Sequence, residues 1–558
     1  MEQYDTIVVG AGSAGCVLAN RLSANPQHRV LLLEAGGSDR RLWVRVPIGY
    51  ARTFRNPAVN WMYQTEPEPA LRGRSSYWPR GKVLGGSSSI NAMAYVRGQA
   101  EDYDGWERLG NPGWGWNDVL PCFKHSEDHA WGAGAHHGVG GPMHVDDISA
   151  AVHPLCGSFL QAAQTLGFAR TDDFNGPTSE GVGIYQINTR RGWRESTASA
   201  FLRPALARAN LGLQSQAHAT RILIRDGRAF GVEYRRDGQL LQAFARCEVI
   251  VCGGAVNSPQ LLQLSGIGDA QLLAQHGIGS NVQAPMVGCG LQDHLHITHS
   301  YRSRVATLNG QLFPWTGKLR AALQYLVWRS GPLGMSVNQA GGFVRSDAQQ
   351  TRANLQLYFN PASYTTKPSG ARQTMNPDPF PGFSMSVHAC RPTSRGTVHI
   401  CSADPFQPPA IRPNYLGTEL DVAEALVGAR LLRALAASAP LRDVIEAETL
   451  PGAAYESDAA LLDDFRARAD TIFHPVGTCA MGPVPATSVV DARLRVHGVR
   501  GLRVIDASVF PAITSGNTNA PVIMVAEKGA QMVLEDHARA EPHGITLPPL
   551  TSITCPVT

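Results

Sequence analysis

The chain has 558 residues, of which 43% are hydrophobic and 17% charged, and its 49 Lys and Arg against 45 Asp and Glu leave a formal net charge of +4. That is a globular balance, long enough for two or three ordinary domains around a large core. No block of like charge occurs and no apolar run approaches the roughly 20 residues that cross a bilayer, which argues against a nucleic-acid partner and a transmembrane helix.

The first residues, MEQYDTIVVG, enter a strand at once, with neither a basic n-region nor a cleavable apolar stretch. Ten cysteines without a CxxC pair, mostly inside apolar segments, argue against a zinc site or a disulfide framework and for a reducing compartment. The expected location is cytoplasmic. Peripheral association with the inner face of a membrane stays open, and so does the oligomeric state.

Residues 5–9 (DTIVV) read as a buried strand. Residues 13–24 place Ala14, Val17, Leu18 and Leu22 on one helical face, and residues 29–33 form a second strand ending at Glu34. Strand–turn–helix–strand is the opening of a doubly wound sheet. Residues 35–145 are rich in Gly, Pro and Trp and read as a segment wrapped around a cofactor. Between 219 and 252 the pattern predicts strands, with a hairpin turn at Asp226-Gly227. A helix is expected from Ser258 as N-cap and Pro259 at its first position. From about 298 to 470 strand-like runs mix with an amphipathic helix over 419–437, which reads as a separate α+β region. Strand patterns return over 489–506, a helix is expected over 521–535 starting at Pro521, and the four prolines beyond 538 predict a loose tail.

Gly10, Gly12 and Gly15 stand in a GxGxxG arrangement between the first strand and its helix. The first permits a tight turn, the second lets backbone approach a pyrophosphate, and the third permits close helix–strand packing. The helix N-terminus, at Ser13 and Ala14, favours phosphate charge. Glu34 ends the next strand, where an acidic side chain binds a ribose hydroxyl pair and disfavours a 2′-phosphate. FAD or NAD is therefore expected over NADP. No second such motif occurs in a strand–helix setting, so electrons are expected to come directly from the substrate.

Five ordered stretches carry a resemblance. They are PRGKVLGGSSSINAMAYVRG (79–98), GAVNSPQLLQLSGIG (254–268), VGCGLQDHLH (287–296), FHPVGTCAMG (473–482) and LRVIDASVFPAITSGNTNAPVIMVAEKGA (502–530). Together they resemble the glucose–methanol–choline (GMC) oxidoreductase family over about residues 4–535. The resemblance implies an α/β FAD-binding Rossmann-like domain interleaved with an α+β substrate domain built on an antiparallel sheet. The expected partition is an FAD domain over 1–297 containing some substrate-domain segments, a substrate domain over 298–470, a return to the FAD domain over 471–537, and a tail over 538–558.

The resemblance implies His474 and Asn517 as the catalytic pair. His474 is expected to take the alcohol proton while a hydride passes to flavin N5, and Asn517 to hold the substrate oxygen. FAD contacts are expected from Gly10, Gly12, Ser13, Ala14, Gly15, Glu34, Ala35, Gly81, Val83, Gly85, Gly86, Ser87, Asn91, Ala92, Asp506, Ala507 and Asn517. Ile90 occupies the place where some relatives carry a flavin-linking histidine, so FAD is expected to be noncovalent. Gln339 and Phe473 weigh against choline and favour a neutral primary alcohol (aliphatic, aromatic or a polyether diol), with residues 305–345 shaping the choice. The expected electron acceptor is a quinone or a similar molecule, with O2 as the alternative. A hydroxynitrile lyase of the same fold is the rival from another reaction class. His129, His136, His137 and His144 cluster in sequence without a metal-ligand pattern, and no metal is expected.

Overall fold

The computed structural model describes residues 3–364 and 376–540. Two seven-stranded sheets organise them. The first runs Leu211–Ser215, Val30–Glu34, Gln3–Val9, Gln239–Val251, Arg228–Arg236, His218–Arg225, with Leu502–Val504 also paired to Gln239–Val251. Gln3–Val9 is parallel to both of its neighbours. Its residues from Tyr4 onward, and all of Val30–Glu34, are buried. That explains the apolar runs over residues 7–9 and 30–33, because a parallel strand is covered on both faces. The hairpin turn forms at Asp226 and Gly227, with φ of 50° and 68°, the left-handed pair that a two-residue turn between twisted strands requires.

The helix Ser13–Leu22 is covered by the long helix Asn519–Ala540. Arg21 pairs with Glu527 at 2.7 Å, and the Ser13 hydroxyl donates to Asn519 Oδ1 at 2.8 Å. The two ends of the described chain thus build one layer. This C-terminal helix starts two residues before Pro521 and persists through residues 538–540. Asp536 receives Arg503 at 2.6 Å and Arg493 at 2.8 Å, and His537 lies 2.8 Å from Glu248, so the last turns are held down. The rest of the expected tail, from residue 541, lies outside the described residues.

Two other expectations are corrected. Residues 489–506 contribute only Leu502–Val504 to a sheet, because the Asp491 carboxylate accepts the amides of Arg493 and Arg495 and turns the chain. The helix expected from Ser258 begins at Gly254, with Pro259 inside it. Proline has no N–H for the Ala255 carbonyl, and a buried carbonyl left unpaired costs about 1–3 kcal/mol. The Thr478 hydroxyl donates to that carbonyl at 2.7 Å, which is how the helix accommodates the proline. Ser258, no longer a cap, donates to Asp506 at 2.5 Å.

The second sheet is antiparallel: Ile445–Leu450, Leu295–Ser303, Gly382–Ala389, Leu355–Asn360, Ala340–Val344, Gly181–Ile184, with Asp470–Thr471 against Leu295–Ser303. Side chains alternate across it. Ile297, Tyr301, Leu357, Phe359, Met385 and Val387 pack in a core with the helices Leu155–Thr165 and Glu419–Ala437. The intervening positions are polar and face the first sheet's ligand cavity. No described helix is long and apolar enough to cross a membrane.

Candidate active site

A cavity of about 680 Å³ runs from the end of the first sheet to the polar face of the second. Three helix N-termini border it, at Ser13, Gly254 and Asn519. Each carries partial positive charge at its end, an arrangement that suits an anion. The Gly254 amide is met by the Asp506 carboxylate at 2.8 Å, which also accepts the Ser508 amide and the Ser258 hydroxyl. Burial raises that carboxyl above its ordinary range.

The glycines of the turn divide by what they face. A Cβ on Gly10 would stand 2.5 Å from the Cys252 carbonyl oxygen, and one on Gly15 would stand 1.8 Å from the Gly10 carbonyl oxygen. Both are therefore packing glycines. Gly12 is different: a Cβ there meets nothing nearer than Gly86 Cα at 4.0 Å, and the residue lines the cavity. Space is open where a pyrophosphate would approach backbone. Ser13 and Ala14 line the cavity beside it.

Glu34 accepts the amides of Ala11 at 2.8 Å and Gly36 at 2.7 Å, which aims its carboxyl into the cavity next to Ala35. Burial pushes this carboxyl up to about 7, against the two backbone donors and Lys82. A carboxylate has about four acceptor positions, so room remains for a ribose hydroxyl pair.

The glycine-serine loop is stitched onto this turn. The Gly85 amide donates to Ala11 at 2.7 Å and the Leu84 amide to Gly37 at 3.0 Å. Gly81, Gly86, Ser87, Ile90, Asn91 and Ala92 line the cavity. Arg194 and the Met93 amide both donate to the Asn91 side-chain oxygen, leaving its NH2 group toward the cavity. Gly15, Val83 and Gly85 lie behind the lining rather than on it: Val83 is packed with Val44, Val59 and Ile90. They shape the cradle through packing. The residues present thus fit a dinucleotide: open backbone at Gly12, a free acceptor at Glu34 and a polar loop over the far side.

His474 and Asn517 meet at the other end, with Asn517 Nδ2 3.2 Å from His474 Nε2. The histidine is held from three sides. Its amide donates to Asp293 at 2.7 Å, and the same carboxylate receives the Thr471 and Tyr415 hydroxyls, each at 2.5 Å. Phe473, just before it, has φ of 72°, a strained conformation for a bulky residue. Thr471 Oγ1 accepts the Phe473 amide and Arg80 donates to its carbonyl, each at 2.8 Å, so the surroundings hold the strain. The third side is His294, whose Nδ1 is 3.0 Å from His474 Nδ1.

That last contact decides where the proton sits. His294 Nε2 is 2.8 Å from the Cys390 carbonyl, which can only accept, so Nε2 carries the His294 proton and its Nδ1 is a bare acceptor. His474 must then carry its own proton on Nδ1. Its Nε2 lone pair faces Asn517 and the cavity. Burial, then His388, Arg80 and His296, holds the His474 imidazole well below its ordinary pKa, so it rests neutral. Asn517 is fixed in turn, its Oδ1 accepting from Tyr358 at 3.2 Å and Gln356 at 3.4 Å.

Asp293, His294, Gln356 and Tyr358 carry no sequence-level assignment. Asp293 and His294 sit in the QDHLH stretch, where paired polar residues between apolar ones were the available signal. Gln356 and Tyr358 lie within an ordinary strand pattern that shows nothing of the kind. The wall facing the pair is polar: His296, Thr298, Ser300, Asn360, Ser384 and Ser386 come from three adjacent strands of the second sheet. Residues 305–345 were expected to shape this region, yet only Asn338 of them lines the cavity. The Gln339 side chain turns away, accepting the His153 amide at 2.8 Å, so it bears on no substrate group there. His129 and His137 do meet, with Glu127, in a buried cluster. Arg97 pairs with Glu127 at 2.7 Å, His137 bridges Glu127 and Asp173, and these partners push the His137 imidazole up to about 9.

Models of the GMC oxidoreductase family match residues 4–296 and 392–526. An alcohol dehydrogenase [acceptor] of Pseudomonas putida is 43% identical, covering 95% of this chain and 96% of the relative. A mitochondrial choline dehydrogenase of Mus musculus is 41% identical over 95% of this chain and 89% of its own. The crystal structure of pyridoxine 4-oxidase from Mesorbium loti superposes with a TM-score of 0.87 at 30% identity, over 95% of this chain and 99% of that one.

Proposed function

The chain belongs to the GMC oxidoreductase family, whose members oxidise alcohol-type substrates with FAD, and from that premise we propose that it dehydrogenates a neutral primary alcohol to the aldehyde with His474 as the base. The observation that carries this reading is the single cavity: the His474 Nε2 lone pair and the Asn517 amide open into the same space as the glycine cradle and Glu34.

In this reading FAD is held without a covalent bond by the backbone at Gly10–Ala14, by Glu34 and by the loop Gly81–Ala92; Ile90 offers no nucleophile at the lining. When bound, the flavin supplies the hydride acceptor. The protein's own part is the proton. An alcohol entering between His474 and Asn517 donates its O–H to Nε2, and the Asn517 NH2 turns from Nε2 to the oxygen. As charge develops on that oxygen the amide stabilises it without changing its own charge. The proton arriving at Nε2 makes an imidazolium whose Nδ1–H remains on His294. His294 thereby acts as a positioning residue for the reactive tautomer.

The six wall residues are hydroxyl, amide or imidazole groups, which supports a neutral alcohol with further oxygens, such as a polyether diol. Asp470 and the rings of Tyr358, Tyr364 and Phe473 also line the cavity, so the panel of alcohols must include a quaternary ammonium alcohol, whose recognition needs such groups. The proposed electron acceptor is a quinone, in line with the acceptor-linked alcohol dehydrogenase at 43% identity. The test is anaerobic mixing of the flavin-loaded protein with primary alcohols while flavin absorbance is followed, then addition of air or of a quinone. Bleaching by a diol or alcohol, with recovery on quinone, is expected. Rapid recovery in air with peroxide assigns an oxidase, and a flavin that no alcohol bleaches overturns the reading.

A further inference from the structure

The helix Trp315–Trp328 packs with two of its fourteen residues, Ala321 and Tyr325, buried. The rest of its apolar content faces outward: Trp315 is 75% exposed, Leu326 63%, Val327 65% and Trp328 70%, with Leu319 and Leu323 also exposed. A helix of this length is marginal by itself, and a contiguous exposed apolar patch marks a binding surface. Beside its C-terminal end, Arg329 and Arg45 stack on the Trp193 ring at 4.4 and 4.6 Å. Arg45 ends the short helix that exposes Leu42 and Trp43, preceded by the exposed Arg40 and Arg41.

The charge on the helix and its C-terminal flank has one sign, while Arg302 and Arg345 of the same stretch are paired with Glu446 and Glu180. From His294 to Ser346 the sequence contains no Asp or Glu, while Arg302, Arg304, Lys318, Arg320, Arg329 and Arg345 fall within it. Lys318 and Arg320 are exposed on the helix itself. A second copy of the chain docking here would set these cations against their own images without a carboxylate from the same stretch.

We propose that this helix is a membrane-docking surface that lies in the headgroup region of an anionic phospholipid bilayer. Its 14 residues span about 21 Å, short of the roughly 30 Å hydrocarbon core, so it suits an orientation in the membrane plane. Trp315 and Trp328 stand at its two ends, and tryptophan is the side chain that prefers the interface. The neighbouring segment leads to the cavity: Leu312 packs in one cluster with Ile48 and Tyr364, and Tyr364 lines the cavity. Docking is independent of which alcohol the cavity accepts.

The test is co-flotation of the flavin-loaded full chain with vesicles of phosphatidylcholine alone and of phosphatidylcholine with phosphatidylglycerol. The protein is expected to float with the anionic vesicles, less so in high salt. Lys318→Ala/Arg320→Ala should lower partitioning about 30-fold, at about fivefold per cation near the surface. Trp315→Ser/Leu326→Ser/Trp328→Ser should lower it by at least about 30-fold. Both variants should keep the flavin spectrum and turnover with a soluble dye. Wild-type protein that stays down with both vesicle types, or variants that float like it, overturn the proposal. So does light scattering that finds a dimer dissociated by the apolar substitutions, which assigns the face to a second copy.

Discussion

The two ends of the cavity recognise their partners by different means. The dinucleotide end is made mostly of backbone: glycines that admit close approach, helix N-termini and amides. The proposed catalytic end is made of side chains standing on a sheet and on the strained segment around Phe473 and His474. Backbone recognition depends on conformation and tolerates no added atoms at a few positions. Side-chain recognition depends on tautomer, burial and hydrogen-bond direction. A substitution at one end should therefore remove the cofactor, and at the other the chemistry while the cofactor stays.

The largest effect tests the first half of that contrast. Gly15→Val drives side-chain atoms into the Gly10 carbonyl, and a Cβ at 1.8 Å leaves no rotamer to relieve it. The expected outcome is protein without flavin, read from the flavin-to-protein absorbance ratio and a lowered thermal midpoint. Retention of stoichiometric flavin would sink the account of the turn.

His474→Ala tests the second half. Loss of a general base should cut kcat by about 10²–10⁴-fold with the flavin content unchanged. The same residue sets a pH dependence. Because its pKa is lowered, the imidazole stays unprotonated as pH falls through 6.5, the ordinary histidine value. The acid limb of kcat/KM should thus lie well below pH 6.5, and a limb at or above that pH would contradict the buried, neutral base. Asn517→Ala removes one donor to the developing alkoxide and should cost about 10²-fold in kcat. Asn517→Asp should be no better, since a carboxylate cannot donate.

The smallest effect returns to the cradle. Glu34→Gln keeps shape but offers an NH2 group to a backbone amide that needs an acceptor, and FAD affinity should fall about tenfold or somewhat more. In the wild type, burial raises the Glu34 carboxyl to about 7, while ribose hydroxyls would donate to the ionised form. FAD binding therefore expels a proton below that pH. Affinity should weaken by up to about tenfold per unit as pH drops below 7, and the Gln variant should lose this slope. Titration calorimetry in buffers of different ionisation enthalpy would measure the proton directly.

The cradle was readable in the sequence because its information is local. Gly10, Gly12 and Gly15 repeat on one turn, Glu34 follows at the end of the next strand, and the alternation of strand and helix between them is a short-range pattern. The His474 and Asn517 pair was readable only through resemblance, since a lone histidine before proline has no intrinsic catalytic mark. The helix at Gly254 was misplaced because proline usually starts helices. The exception depends on the Thr478 hydroxyl, more than two hundred residues away, reaching the Ala255 carbonyl.

By itself, then, the sequence determined the elements whose cause is periodicity or backbone freedom: the parallel opening, the hairpin turn at Asp226, the helix Glu419–Ala437 and the phosphate-type turn. Tertiary structure alone decided which polar rows line the cavity, that Gln339 turns away from it, and that Glu127 joins His129 and His137. It also decided the protonated nitrogen of His474. That nitrogen follows from a carbonyl at Cys390 and a ring at His294, brought together by strand pairing. Hydrogen-bond direction is a property of neighbours in space, and a strand's pattern states which face is polar but not what that face will meet.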